Sequence, residues 1–214
     1  MPEFTCQTCA ATFSLSDKVL DRYPGWTPKT CRSCRDGGGG ANRVRGGARR
    51  ARIAEENLTV AEVLERYTDG PQDGVFTDGS AAPNPGPGGW GAVYVVGGRV
   101  VDQAHGHEAR TTNNRMELTA LLAGFDLVPD GTPATIHTDS RLAVDTISIW
   151  AAGWERNGWK RKTGPIQNLE LVQALYAKAK ARPELRLEWI PAHAGNRWNE
   201  YADSLSTAYL RERL

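Results

Sequence analysis

From residue 74 onward, the chain alternates short apolar runs with longer segments of helical spacing. The first three runs, VFTDGS (75–80), WGAVYVVGG (90–98) and RVVDQAHGH (99–107), have the length and composition of strands. Two glycines, Gly97 and Gly98, end the second run, and such a pair favours a tight hairpin turn. The pattern therefore predicts three consecutive antiparallel strands.

After the third strand, helical and strand patterns follow one another. The segment NRMELTALLAGFDLV (114–128) places its apolar side chains on one side of a helix. The remaining segments, in chain order, are a strand at 132–140, helices at 141–154 and 164–181, a strand at 185–192 and a helix at 196–214. This order predicts an α/β fold in which helices cover a five-stranded mixed sheet.

The part before residue 74 has a different composition. Residues 37–52 (GGGGANRVRGGARRAR) contain six glycines, five arginines and no acid, which predicts a flexible basic linker able to contact phosphates, or a merely soluble spacer. LTVAEVLERY (58–67) has the spacing of a short amphipathic helix, capped by Thr59 or Asn57. The predicted organisation is a module at 1–36, a linker with a short helix at 37–73 and a main domain at 74–214.

All four cysteines lie in the first 34 residues, as Cys6-x-x-Cys9 and Cys31-x-x-Cys34. Two such pairs are typical of a single tetrahedral zinc ion with four thiolate ligands. A redox pair or a disulfide staple is the alternative. Zinc is favoured because a module with so few apolar residues has little else to fold around.

Charge and hydropathy restrict the remaining possibilities. The formal net charge of +1 does not indicate a polyanionic partner, so only local charge is informative. No apolar stretch approaches the length of a membrane span, and the first fifteen residues lack the pattern of a secretory signal. We therefore expect a soluble, cytoplasmic protein with no membrane partner, and nothing suggests more than a monomer.

Four acids occupy positions from which their side chains would converge. Asp78 lies inside a strand, where a carboxylate is costly unless it is paired or bound to a metal. Asp139 ends a strand, Glu117 lies early in a helix and Asp203 lies in the last helix. Carboxylate oxygens without a His or Cys cluster suit Mg²⁺ or Mn²⁺.

Each acid also has a simpler interpretation. Asp139 would serve as a helix N-cap, and Glu117 would pair with Arg115 on the surface. Two of the acids would suffice for glycosidase-type acid and base work, but that interpretation leaves the other two unexplained. The metal interpretation depends on the whole set.

Residues 74–210 resemble a type 1 ribonuclease H. The matching segments are TDGSAAPNPGPGGWGAV (77–93), TTNNRMELTALLAG (111–124), IHTDS (136–140) and HAGNRWNEYADSLS (193–206). The resemblance implies an endonuclease that hydrolyses the RNA strand of RNA/DNA hybrids and leaves 5′-phosphate and 3′-hydroxyl ends. It further implies two Mg²⁺ ions, with Mn²⁺ as a substitute, and a loop histidine that assists proton movement or product departure. The implied catalytic residues are Asp78, Glu117, Asp139, Asp203 and His193, the first four as metal ligands.

The resemblance also assigns substrate contacts. The RNA strand would contact Asn84, Asn113 and Asn114; a DNA phosphate would contact Arg110, Thr112 and Asn168; and a DNA sugar would contact Trp150 and Trp154. The segment WERNGWKRKTGP (154–165) resembles a basic protrusion that grips the hybrid, and Arg141 is a further possible phosphate or base contact. The alternatives are a turn role for Asn84, a cap role for Asn113, a core position for the two tryptophans and an ordinary surface position for His193.

The N-terminal cysteines resemble those of zinc-ribbon-like domains. An aromatic residue and nearby positive charges, Trp26, Arg22, Lys29, Arg32 and Arg35, suggest nucleic-acid binding by this module. Alternatively, Trp26 and Tyr23 form a small core, and the module binds a protein or adds stability.

Two other functions remain open at this point. One is a catalytically silent hybrid-binding protein of the same fold, for which loss of a metal-ligating acid would be the usual sign. The other is a transposase, integrase or resolvase, since these share the fold and the two-metal site but not this arrangement of motifs.

Overall fold

A computed structural model describes residues 2–15, 27–31, 34, 57–161 and 163–211. The chain divides into two compact units, Met1–Glu55 and Glu56–Leu214. The basic linker at 37–52 lies outside the described residues. So do five residues that the sequence assigned to the N-terminal module, Arg22, Tyr23, Trp26, Arg32 and Arg35.

The described part of the first unit is built on a short antiparallel pair. Strands β1 (Glu3–Thr5) and β2 (Thr12–Ser14) pair with Phe4 opposite Phe13, whose ring centroids lie 5.9 Å apart. The turn between the strands carries the first CxxC pair. A small hairpin therefore presents Cys6 and Cys9.

The second unit contains a five-stranded mixed sheet, as predicted. Its strands are β3 (Gly74–Ala81), β4 (Gly86–Val96), β5 (Arg99–Thr111), β6 (Ala134–Thr138) and β7 (Leu185–Trp189), in the order β5-β4-β3-β6-β7. The pairs β3·β4 and β4·β5 are antiparallel, whereas β3·β6 and β6·β7 are parallel. The carboxyl ends of β3, β6 and β7 therefore meet at one edge of the sheet.

Helices cover both faces of this sheet. They are α1 (Val60–Arg66), α2 (Asn113–Leu127), α3 (Arg141–Asp145), α4 (Ala151–Arg156), α5 (Leu169–Ala181) and α6 (Arg197–Ser206), with a π-helical turn (Thr146–Trp150) between α3 and α4 and a 3₁₀ turn (Ala208–Leu210) after α6. No helix in the described ranges is long and apolar enough to cross a membrane.

The final two helices differ from their predicted bounds. The helix predicted from 164 begins at Leu169, after Asn168 adopts a left-handed backbone with φ of 52°. The helix predicted to run to 214 ends at Ser206, where the hydroxyl of Thr207 donates to the carbonyl of Asp203 over 3.1 Å. Local backbone geometry therefore shortens both elements.

Two apolar clusters form the core, one on each face of the sheet. On one face, α2 and α5 bury Leu121, Phe125 and Leu175 against Val75 and Ile136. On the other face, α1 and α6 bury a second set against β3 and β4: Val63, Phe76, Val93, Trp198 and Leu205. The strands are therefore buried on both sides, which explains their nearly continuous apolar runs.

Helix α1 is part of the second unit, although the sequence analysis assigned it to the linker. Thr59 and Glu62 form a capping box at its start. The Oγ of Ser204 donates to the carbonyl of Leu58 over 2.7 Å, and Arg197 donates to the carbonyl of Leu64 over 2.8 Å. Because α1 has an apolar side, it packs against α6.

Candidate active site

Asp78 lies in the middle of β3, on the face that packs against α6. Its register partner on β4 is Gly91, where an added Cβ would lie 2.5 Å from the carbonyl oxygen of Ala202 in α6. The missing side chain allows α6 to approach the sheet directly. Ser206, near the end of that helix, donates its hydroxyl to Oδ2 of Asp78 over 2.8 Å. The carboxylate is thus buried but has a polar partner.

Asp139 follows β6 at the edge where the parallel strands end. The N-cap of α3 is the next residue, Ser140, whose Oγ accepts from the N–H of Ala143 over 3.4 Å. The alternative that Asp139 caps this helix is therefore wrong, because the serine hydroxyl occupies that role. The indole of Trp189 donates to the carbonyl of Asp139 over 3.0 Å.

Glu117 lies on the second turn of α2 and accepts a hydrogen bond from the hydroxyl of Ser140. Its suggested surface partner, Arg115, instead forms an ion pair with Glu170 at 2.6 Å. Residues two apart on a helix point in different directions, which explains why that pair does not form. Glu117 is therefore directed towards the loop that carries Asp139.

The carboxylates influence one another electrostatically. Burial raises the pKa of Asp78 well above its usual range, and the charges of Asp203, Asp139 and Glu117 raise it further. Burial also raises the pKa of Glu117 and that of Asp139. Among the described residues, however, the four acids do not form a group whose ligand atoms all lie within 4.8 Å of one another.

This arrangement fits divalent cations. Several carboxylates in a buried site repel one another, and a cation between them would remove both the repulsion and the cost of burial. The oxygen donors match the preference of Mg²⁺ and Mn²⁺.

A family comparison agrees with this site. The family model described as RNase H matches residues 71–211, which include Asp78, Glu117, Asp139 and Asp203. The chain belongs to the RNase H family. Members of this family degrade the RNA of RNA/DNA hybrids.

Curated relatives carry the same family name. A Ribonuclease H of Methylorubrum extorquens (strain PA1) is 43% identical over 140 residues, which are 65% of this chain and 60% of that protein. A Ribonuclease H of Rhizobium meliloti (strain 1021) is 47% identical over 135 residues, which are 62% of this chain and 86% of the relative. The chain thus spans less than two thirds of the Methylorubrum protein but most of the Rhizobium one.

Solved RNase H structures share the fold. LC9-RNase H1, described as a type 1 RNase H with the type 2 active-site motif, has a TM-score of 0.51 and 32% identity, with 66% of this chain and 74% of that chain covered. The PFV RNase H domain has a TM-score of 0.56 at 19% identity, with 65% of this chain and 95% of that chain covered, and shows the fold alone. The likeness confirms the predicted fold class.

The loop histidine of this RNase H lies beside Asp139. His193 has a left-handed backbone with φ of 47°, and 55% of its side chain is exposed. Its Nδ1 lies 4.0 Å from Oε2 of Glu200, and the N–H of Gly195 donates to the same carboxylate over 3.4 Å. The His193 charge and a hydrogen bond from Asn199 both lower the pKa of Asp139, against the effect of burial. Glu200 and Asn199 are thus in place to orient the loop.

The residues assigned to the RNA strand connect the β3–β4 loop to α2. The side-chain oxygen of Asn113 accepts from the N–H of Ala81 over 2.7 Å, and that of Asn84 accepts from the N–H of Asn113 over 3.3 Å. The N-cap of α2 is Thr112, whose hydroxyl accepts from the N–H of Arg115. The cap role suggested for Asn113 is therefore wrong.

Three of the residues assigned to the DNA strand, Trp150, Trp154 and Asn168, line a cavity next to Glu117. This cavity has a volume of about 250 Å³, and its lining includes Asn114, Glu117, Trp150, Trp154 and Asn168. The two tryptophan rings are tilted, with centroids 6.0 Å apart. Trp150 is 39% exposed, so it is not a core residue.

The remaining contacts lie around this region. Arg110 is exposed on β5, two residues before Thr112. Arg161, in the basic segment, lies 5.9 Å from the centre of the Trp154 ring and donates to the carbonyls of Gly164 and Pro165. Lys162 lies outside the described residues. Among the described residues, Arg161 is thus the cation that lines the cavity.

The four cysteines of the first unit lie together. Their sulfur atoms are all within 4.8 Å of one another, and no two form a disulfide. The N–H of Cys31 donates to the sulfur of Cys6 over 3.2 Å and lowers the pKa of that thiol to about 6. A four-sulfur group with a thiolate available near neutral pH fits a zinc ion.

Sequence reasoning missed three side chains that support the acids, Ser140, Ser206 and Trp189. Ser206 follows Asp203 by three positions on α6, and this helical spacing was the available signal. Trp189 ends β7 beside Asp139, but nothing in its sequence context indicated the contact. Each of the three donates a hydrogen bond to one of the acids and is not an acid itself.

Proposed function

We propose that this chain is an endonuclease that hydrolyses the RNA strand of RNA/DNA hybrids and leaves 5′-phosphate and 3′-hydroxyl ends. The proposal is carried by one observation: a buried carboxylate, Asp78, interacts electrostatically with three partly buried ones, Glu117, Asp139 and Asp203, inside an RNase H domain. Asp78 is central to the group because the other three all raise its pKa.

Asp78, Glu117, Asp139 and Asp203 would hold two Mg²⁺ ions, with Mn²⁺ as a substitute. Bound there, such ions activate the attacking water and stabilise charge on the entering and departing oxygens. The protein orients their ligands: Ser206 and Ser140 each donate a hydroxyl to a carboxylate, and Trp189 holds the backbone at Asp139. This support is of the kind that metal sites require from residues behind the ligands.

His193 would take up a proton from solvent and release it to the departing 3′ oxygen. Its exposure gives it access to solvent, and Glu200 near Nδ1 would favour presentation of Nε2 to the reacting phosphate. The bond that breaks is between phosphorus and the 3′ oxygen of the RNA. The departing oxygen gains the proton and becomes the 3′-hydroxyl.

Two groups of residues near the four acids would recognise the hybrid, one contacting the RNA strand and the other the DNA strand. Asn84, Asn113 and Asn114 offer amides, which donate and accept and therefore suit ribose hydroxyls. Trp150, Trp154, Asn168 and Thr112, with Arg110 nearby, would contact the DNA strand. Glu117 lies at the wall of the cavity, so the cut would fall beside the DNA contact.

The N-terminal unit would bind zinc through Cys6, Cys9, Cys31 and Cys34. With the basic linker, it would add affinity for the nucleic acid by contacting phosphates. The compact group of sulfur atoms supports the metal part of this proposal. The five arginines in the linker sequence support the nucleic-acid part.

The test is cleavage of a labelled RNA strand with Mg²⁺, paired in separate tubes with DNA and with RNA, alongside duplex DNA. Cutting of the hybrid alone, with a 5′-phosphate on the product, is expected. Tight hybrid binding without cutting in Mg²⁺ or Mn²⁺ would instead identify a catalytically silent binding protein. Cutting of duplex DNA would indicate a relative with a different substrate.

A further inference from the structure

Ser206 is a fully buried hydroxyl in direct contact with the carboxylate site. Its exposed fraction is 0%, and its Oγ lies 2.8 Å from Oδ2 of Asp78. The same Oγ lies 2.9 Å from the carbonyl oxygen of Asp203 and 3.5 Å from Oγ of Ser80. One side chain thus contacts Asp78 and the backbone of Asp203.

A serine hydroxyl has one proton, so it cannot donate to both oxygens at once. The carbonyl of Asp203 already accepts from the N–H and from the hydroxyl of Thr207, each over 3.1 Å. When a cation holds Asp78 in its ionised form, this carboxylate is the stronger acceptor because a bond to a charged group is roughly twice as strong as a neutral one. The Ser206 proton is therefore directed to Asp78, and Ser80 is in place to donate to Ser206.

Two glycines bring Ser206 to this position. A Cβ at Gly89 would lie 2.1 Å from the carbonyl oxygen of Ser206, and a Cβ at Gly91 would lie 2.9 Å from its nitrogen. Because β4 has no side chains at these points, the end of α6 rests on the strand backbone. Main-chain contact between α6 and β4 therefore holds the hydroxyl close to Asp78.

We propose that Ser206 is a positioning residue for the metal site, whose hydroxyl fixes the rotation of the Asp78 carboxylate for its role as a metal ligand. Ser206 contacts neither the substrate nor the ions. It donates to Oδ2 of Asp78 and so sets which lone pairs face the other acids. This inference rests on the proposed function, since it deepens the same site.

The test is Mg²⁺ and Mn²⁺ binding to the full chain, measured by isothermal titration calorimetry for the wild type and Ser206→Ala. Loss of a hydrogen bond behind a ligand is expected to weaken ion binding about tenfold or more. In the cleavage assay, the Mg²⁺ concentration for half-maximal rate should rise by a similar factor, with the KM for the hybrid unchanged. Ser206→Cys keeps a donor at this position, although a weaker one on a larger atom, so its affinity should fall between the two.

Ser204→Ala is the matched control. Ser204 lies on the same helix, is 2% exposed and donates over 2.7 Å, but to the carbonyl of Leu58 instead of a carboxylate. Its removal should leave ion affinity unchanged. Equal losses in both alanine variants would overturn the proposal and assign the effect to helix packing.

The outcomes separate this inference from the proposed function. Wild-type binding with an unchanged Ser206→Ala affinity would overturn the role of Ser206 alone. Absence of ion binding to the wild type would overturn the metal site, and the role of Ser206 with it. Weaker binding in Ser206→Ala only, with normal binding in Ser204→Ala, supports the positioning role.

Discussion

The indole Nε1 of Trp189 donates to the backbone carbonyl of Asp139 over 3.0 Å. This bond links the end of β7 to the residue that follows β6, so the position of one proposed metal ligand depends on the neighbouring strand. The guanidinium of Arg141 lies 5.4 Å from the centre of the same indole and pairs with Asp145 at 3.3 Å. Trp189 thus contacts the residue before Ser140 and the residue after it.

Trp189→Phe should lower kcat about two- to tenfold, the effect of one lost hydrogen bond, with little change in the KM for the hybrid. The ring remains for Arg141 to stack on, but the donor is lost. Steady-state cleavage of the hybrid measures this. Arg141→Gln is the control: it retains the indole bond and should affect KM more than kcat. An unchanged kcat in Trp189→Phe would show that the bond does not position Asp139.

Asp78→Asn should abolish cleavage while hybrid binding remains, because the amide keeps the shape but loses the charge that holds a cation. The same change should stabilise the metal-free protein at neutral pH, because burial and the neighbouring acids raise the pKa of Asp78 and so make its ionised form costly. Chemical denaturation in EDTA measures the stability. Normal turnover would contradict the assignment of the site.

The metal-free protein should become less stable as the pH rises above about 4, the ordinary pKa of a carboxylic acid. The folded-state pKa values of Asp78, Glu117 and Asp139 lie above their ordinary values. The protonated form of these acids therefore favours the folded state. Their contribution to the free energy of unfolding is complete below the unfolded-state pKa and is lost as the pH rises through the folded-state pKa. Unfolding scans across this range in EDTA measure the trend. Asp78→Asn should flatten it, and so should Mg²⁺; an equal slope in the variant would assign the trend to other groups.

Each chain should bind one zinc ion, and Cys31→Ser should lose it. Cys31 donates its N–H to Cys6 and places its own sulfur 3.7 Å from that of Cys9, so it contacts both knuckle cysteines of the hairpin. Elemental analysis of purified protein gives the stoichiometry. Cleavage by the second unit should persist at low salt. Equal zinc content in the variant would contradict the four-sulfur site.

Two truncations distinguish the linker from α1. Removal of residues 1–52 should leave the second unit folded but weaken its hybrid affinity and reduce the salt dependence, because the arginines are lost. Removal of residues 1–66 should also unfold or strongly destabilise it, since Val63 is 1% exposed and burial of such a side chain contributes about 1.5 to 3 kcal/mol. Binding measured over a salt series and thermal unfolding separate the two effects. An unchanged salt slope would exclude a phosphate-binding linker.

The hydrophobic pattern was sufficient to predict the main fold. Apolar runs on β3 and β4 and the helical spacing of α2 result from burial that repeats along the chain, so they are visible in the sequence. The position of α1 was not predictable in this way, because a short amphipathic segment does not specify the surface that covers it. The π-helical turn that ends at Trp150 was likewise not predictable from the hydrophobic pattern.

At the site, the acids were identifiable but most of their supports were not. Asp78 was marked by its place in an apolar strand, which a carboxylate occupies only with a partner. The hydroxyls of Ser140 and Ser206 carry no comparable mark, since serine is common at helix ends. Which serine contacts a carboxylate depends on distances between elements far apart in sequence.

The main-chain contact at Gly89 and Gly91 makes the site sensitive to substitution of either glycine. Where side chains separate two elements, a substitution is absorbed by rotation of those side chains; here the carbonyls of Ala202 and Ser206 meet the strand with nothing between them. Alanine at either glycine would push α6 outwards and carry Asp203 away from Asp78, although both acids remain. Gly89 and Gly91 carry no functional group, but they keep Asp203 close to Asp78. Their substitution would therefore appear in a cleavage assay as a catalytic defect.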